Sequence, residues 1–219
     1  TLQDPAHWCG LACLHPNVKA AALDRSGGAD LLTFYVGRKH FKKPEHSQSI
    51  TYAFRAAGDT NDYFSVLLSS DTGPHGTRDH RVRCEGLALG PDRSFIRLLY
   101  SCRYGVVARS GLALYLVTLG RNKVGFSVVG REKDGSPVYI KGTRGIVERN
   151  AMRYYLAVKA YMQGLAQPAG LRFEQALHTW WDASMQYPEQ LYEYEKNDYL
   201  RYKRREREQR LRLQQELDP

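Results

Sequence analysis

The chain has 219 residues, 42% of them hydrophobic and 25% charged, with a formal net charge of +9. That balance is ordinary for a soluble globular protein and argues against wholesale disorder, and the length allows one domain with a full core plus an appendage. No apolar run approaches the roughly 20 residues that span a bilayer; the longest, GLALYLVTLG at residues 111–120, is half that.

The positive excess is spread thinly. From Glu189 onward basic and acidic side chains balance, eight of each, so the excess lies in residues 1–188. A nucleic-acid binder usually concentrates its charge in a stripe or tail, so nucleic acid is not the expected partner. The densest basic cluster, GRKHFKK at residues 37–43, reads as a solvated loop, with contact to phosphates or anionic lipid heads as the alternative.

After that loop the sequence alternates with period two. SQSITYAFRAAG spaces Ile50, Tyr52 and Phe54 by two, and DYFSVLLSS does the same with Phe64, Val66 and Leu68. RDHRVRCEGLAL puts Val82 and Cys84 on one face against Asp79, Arg81, Arg83 and Glu85; RSFIRLLYSCRYG sets Ile96, Leu98, Tyr100 and Cys102 against Arg97, Ser101 and Arg103. Such alternation marks strands with one buried and one wet face. The short connections AGDTN, SDTGPHG, LGPDR and KDGSP predict an antiparallel meander. Residues 106–120, apolar nearly all round and ending at a glycine, predict a helix that plugs the sheet, covers a pocket mouth as a lid, or dips into a membrane surface. KVGFSVVGRE then resumes the alternation with Val124, Phe126 and Val128.

RGIVERNAMRYYLAVKAYM, residues 144–162, follows as a helix. At 100° per residue, Val147, Ala151, Tyr154, Tyr155, Val158, Tyr161 and Met162 share a wide arc that also holds Asn150, while Arg149 and Arg153 lie on one far edge and Glu148 and Lys159 on the other. That helix is expected to cover the sheet with its charges outside, Glu148 pairing with Arg144. After GLAQPAGL a second helical region begins with RFEQALHTWWDASMQ, and Pro188 suits the first turn of another helix. The final stretch mixes signs at helical spacing and reads as a solvated helix with weak ion pairs.

The chemistry-bearing residues are sparse. Cys9, Cys13, Cys84 and Cys102 fit no metal signature, and the tight Gly-Pro-Asp turn places Cys84 opposite residues 98–100 rather than Cys102. No nucleophile elbow, phosphate-binding loop or HExxH motif is present. His75 and His80 lie close together but lack a third ligand. His80 continues the inward register of Val82 and Cys84, where a neutral imidazole can orient a ligand or act as a base.

A helix laid across a curved antiparallel sheet resembles the helix-grip fold of the START/Bet v 1-like (SRPBCC) superfamily. DPAHWCGLACLHPNVKAAAL resembles the short helices of that fold and the approach to its sheet, followed by a strand near Leu31 to Val36. HWCGLACLHPNVK, GPHGTRDHRV, LGRNKVGFSVVG, RGIVERNAMRYYLAV and YPEQLYEYEKNDYLRYKRRE are similar to segments of a START-like bacterial branch whose members carry export signals. The likeness covers residues 1 to about 205 and implies an exported or periplasmic protein, with no particular chemistry. It departs in one respect: helix-grip domains begin with a strand, and here that strand either precedes the sequence or is absent. If it is absent, the first sheet edge near Leu31 is left open to pairing.

The expectation is therefore an α+β fold, a curved antiparallel sheet wrapped around a long helix (helix-grip) in residues 1–165, with a C-terminal helical extension in 166–219. The resemblance implies a cavity for a hydrophobic small molecule or lipid. Its sheet wall is Tyr52, Phe54, Phe64, Val66, His80, Ile96, Leu98, Tyr100 and Phe126; its helix wall is Val147, Asn150, Ala151, Tyr154 and Tyr161. No catalytic residue, metal or cofactor is assigned. The alternative is an interaction module docking through Trp180, Trp181 and YPEQLYEYEKNDYL, onto a partner or a second copy; a cyclase- or hydrolase-like enzyme is a third.

Overall fold

A computed structural model describes residues 1–60, 62–91, 93–105 and 121–218, and these form two compact units. The first joins Thr1–Tyr104 to Glu195–Pro219, and the second is Gly105–Tyr194. The expected plug or lid at 106–120 lies outside the described residues. No described helix is long and apolar enough to cross a membrane.

The strands of the first unit are β1 (Val18–Asp24), β2 (Leu31–Val36), β3 (Gln48–Thr60), β4 (Tyr63–Thr72), β5 (Thr77–Gly90) and β6 (Arg93–Tyr104). They pair in sequence order as one six-stranded antiparallel sheet, the meander that the period-two alternation predicts. Its inner-face ladder runs Phe54–Leu68–Val82–Tyr100 and, one step along, Val66–Cys84–Leu98. Cys84 is thus opposite Leu98, and all four cysteines are free thiols. A bulge between Arg78 and Arg81 carries Asp79 at φ 52, a conformation that aspartate tolerates better than most residues.

The sheet begins one strand earlier than the sequence implied. VKAAALD is itself β1, so Leu31–Val36 is an interior strand paired on both sides rather than an open edge. Its apolar residues do not alternate because nearly all of β1 is buried on both faces. Two helices cover it, α1 (Pro5–Ala12) and a C-terminal helix, Lys196–Leu217, which becomes α5 in chain order. Asp4 caps α1, with Pro5 at its first position. The β1 edge is closed by a side chain: the Gln214 amide accepts from Leu23 N–H and donates to Leu23 C=O, both at 2.9 Å.

α5 is not the solvated helix its mixed charge suggested. Tyr199, Lys203 and Glu206 fall on one face and are buried, with Leu200 beside them. Tyr199 donates to Leu14 C=O at 2.9 Å, and Glu206 pairs with both Lys19 and Lys203.

The second unit holds α2 (Gly142–Leu165), α3 (Arg172–Ser184), the short α4 (Pro188–Leu191) and a hairpin of β7 (Val128–Arg131) with β8 (Pro137–Tyr139). Pro188 opens α4, as its position predicted. KVGFSVVGRE does not extend the meander: only Val128–Arg131 is strand, in a separate two-stranded sheet, with both valines exposed. α2 packs on α3, and a Cβ at Gly164 would stand 2.7 Å from Arg172 O, so that crossing requires glycine.

The buried face of α2 is also rotated from the expected one. Of the expected arc only Val158 is fully buried; Gly145, Arg149, Arg153, Leu156, Ala157 and Ala160 are buried with it, whereas Tyr155 and Met162 are exposed. The two arginines, only 3% and 4% exposed, are held inside by Glu193, a partner that a helical wheel of α2 does not contain.

Candidate functional site

The inner face of the sheet carries most of the expected wall. Tyr52, Val66 and His80 are buried, and Phe54, Phe64, Ile96, Leu98 and Tyr100 are half-buried. The gradient follows strand order. Leu32, Val66 and Leu68 on β2 and β4 are fully covered, while on β6 the inward residues Ile96, Leu98, Tyr100 and Cys102 all keep partial exposure. Gly86 shapes this face in a way the sequence did not reveal. A Cβ there would meet the Phe64 ring at 2.0 Å, so the missing side chain is the slot that ring occupies.

At the turn end of β5 the apolar ladder gives way to a polar group centred on His80. Its ring lies edge-on to Tyr52 with centroids 6.4 Å apart, and 6.3 Å from the Tyr100 ring. Nε2 is 2.8 Å from Thr77 Oγ1, and Nδ1 is 3.3 Å from the Tyr100 hydroxyl. Because Thr77 Oγ1 donates its own proton to Pro74 C=O, it must accept from His80 Nε2–H. Nδ1 is then the acceptor for Tyr100 O–H, which assigns a neutral Nε2–H tautomer. Burial, with the nearby Arg81 charge, holds the His80 pKa below its ordinary value, and Asp79 opposes this only in part. Both ring nitrogens are engaged, so His80 is positioned as an orienting group that links Thr77 to Tyr100. A Cβ at Gly73 would lie 2.3 Å from Nε2, so the turn closes directly over the ring.

The expected helix-wall residues lie together within the second unit. Val147, Asn150, Ala151, Tyr154 and Tyr161 form one half-buried stripe of α2, distinct from the face that packs on α3. Phe126, read as a sheet residue, belongs to this unit too, edge-on to Tyr187 at 5.3 Å. Glu148 pins its segment, accepting from Phe126 N–H and Ser127 N–H at 2.8 Å and pairing with Arg144 as the i, i+4 spacing predicted. Burial would raise the Glu148 pKa, but hydrogen bonds from Ser127, Phe126 and Arg144 outweigh it and hold the group below its ordinary range.

The chain matches no protein-family model, no curated protein and no solved structure. Its chemistry has to be read from its own side chains. Among the described residues no group of three His, Cys, Asp or Glu stands in a metal-binding arrangement. An open groove of about 500 Å³ is lined mainly by outward residues, Leu67, Arg81, Arg83, Glu85, Arg97, Leu99 and Ser101, together with Tyr100. Alternation predicted those arginines to be outward but not that they would border a groove. Glu85 pairs with Arg97 there, and Asp71 with Arg81.

Proposed function

We propose that this chain binds, and carries, a hydrophobic small molecule or lipid on the inner face of its six-stranded sheet. The observation that supports it is the half-buried ladder Ile96–Leu98–Tyr100 beside a neutral, doubly hydrogen-bonded His80. Such a surface stabilises a ligand by removing apolar area from water, at about 25 cal/mol per Å², and presents few polar groups to fix its orientation. In this reading the fold of the sheet unit is of the helix-grip, START/Bet v 1-like kind. An exported or periplasmic location is part of the same reading.

Of the interaction-module residues Trp181 is half-buried and Tyr187 and Tyr192 are exposed, but one of the tryptophans is internal. Trp180 is 2% exposed and donates to Arg153 C=O at 3.1 Å, so it is core and not a docking surface. Native mass spectrometry of freshly purified protein, followed by organic extraction, tests the proposal. A lipid-sized adduct that extraction removes is the expected result, with Leu98→Gln lowering its retention about tenfold. A clean apo mass that also takes up nothing from a panel of lipids sinks it.

A further inference from the structure

Two basic segments far apart in sequence meet on the surface of the first unit. The loop GRKHFKK leaves β2 and lies along α5. The His40 ring meets Tyr202 edge-on at 6.0 Å, and the Arg205 guanidinium sits 3.9 Å over the Phe41 ring. Beneath them Lys19 Nζ donates to Lys39 C=O at 3.3 Å.

This contact sorts the charges of α5. Glu206 turns inward to Lys19 and Lys203, while Arg201, Arg204 and Arg205 of α5 and Arg38, Lys42 and Lys43 of the loop packed on it stay exposed. Six cations are thereby gathered from two segments. The acids nearest in sequence are Glu45, paired with Lys43, Asp198, paired with Arg201, and the exposed Glu208. The charge balance counted along the C-terminal sequence conceals the patch, because three of its six cations belong to the loop after β2.

We infer that this patch docks the protein onto an anionic bilayer surface. The choice of partner rests on the ligand-binding reading: an apolar ligand resides in membranes, and its carrier must meet one. Phosphate headgroups need only cations within a Debye length of the surface, which exposed lysine and arginine side chains supply. Single-stranded nucleic acid, by contrast, is held by bases stacked on open aromatic faces. Here the Phe41 face is covered by Arg205, and His40 and Tyr202 are engaged with each other.

The test is co-sedimentation of the full chain with vesicles of phosphatidylcholine alone or mixed with phosphatidylglycerol. Binding is expected only to the anionic vesicles and is expected to weaken as salt rises to physiological strength. The triple variant Lys42→Glu, Lys43→Glu, Arg204→Glu should lower partitioning on the order of 100-fold while leaving its circular dichroism unchanged. Equal binding to neutral vesicles, unchanged binding by the triple variant, or binding to single-stranded RNA but to neither vesicle overturns the inference. Its fate is separable from that of the ligand reading. An extractable lipid in a protein that ignores anionic vesicles sinks only the docking surface, and charge-dependent vesicle binding by a protein with no ligand sinks only the carrier.

Discussion

Each unit buries a carboxylate among several cations, and the two clusters are built on different donors. In the first, Glu206 takes Lys19 on Oε1 and Lys203 on Oε2, with all three side chains at most 1% exposed. The remaining ammonium protons go to main-chain carbonyls, Pro16 and Lys39 for Lys19, His15 and Val18 for Lys203. In the second, Glu193 takes Arg149 and Arg153 on Oε1 and Lys123 on Oε2, and the Glu193 and Lys123 side chains keep 15% and 29% exposure. Arg149 Nε donates to Gln190 C=O at 2.6 Å, whereas the buried Arg153 Nε has no hydrogen-bond partner. A rotatable ammonium finds carbonyls around it, but a planar guanidinium fixes where its protons point. The sealed cluster is therefore the fully satisfied one, and the partly wet cluster tolerates a surplus of charge.

The largest effect is expected where water cannot enter. Glu206→Gln strands two ammonium groups in the interior and should cost about 3–5 kcal/mol, read as a lower urea midpoint by circular dichroism. Glu193→Gln should cost less, about 1.5–3 kcal/mol in the same titration, because its own site and Lys123 keep 15% and 29% exposure although Arg149 and Arg153 stay buried. A loss as large as that of Glu206→Gln would erase the distinction between the clusters.

Within the arginine cluster, Arg149→Lys gives up a bonded Nε and Arg153→Lys an unbonded one. The first should be the more destabilising by about 1 kcal/mol, and equal midpoints would show that Nε plays no part.

Acidity gives the gentlest test. Burial, reinforced by the Lys203 charge and opposed by Glu206, pushes Lys19 down to about 8 from 10.5. Between those values the unfolded chain holds a proton that the folded one has released, so stability should rise with pH across that window. Glu193 behaves oppositely. Burial would raise its pKa, but Arg153, Lys123 and Arg149 hold it below 4.5, so its contribution is present above that pH and fades as acid takes it through its folded value. Urea midpoints that stay flat from pH 8 upward would remove Lys19 from this role.

How much of this was legible depended on where each partner lay. β3 to β6 announced themselves because their inward and outward residues alternate and their neighbours are close in sequence. β1 did not, since a strand covered on both faces loses the alternation that identifies it. Lys203 and Glu206 belong to a helix whose mixed signs read as solvated. Only Lys19, 187 residues from Glu206, explains their burial. Arg149 and Arg153 were set outside for the same reason, their carboxylate lying 44 and 40 residues away. At the candidate site the inward register of His80 could be read from Val82 and Cys84. Its tautomer could not, because that depends on where Thr77 sends its proton.

The Gln214 amide that closes β1 has a consequence for synthesis. β1 leaves the ribosome well before the helix that covers it, which follows only after all of Gly105–Tyr194. The second unit is contiguous and can close before that helix is made, but the first cannot be completed until the helix has emerged. Until then the Leu23 peptide group and the Lys19 ammonium have no native partner from that helix. The nascent protein therefore carries an open strand edge with a buried-type lysine beside it. That lysine is a charge placed where it discourages wrong strand pairing until the right helix arrives.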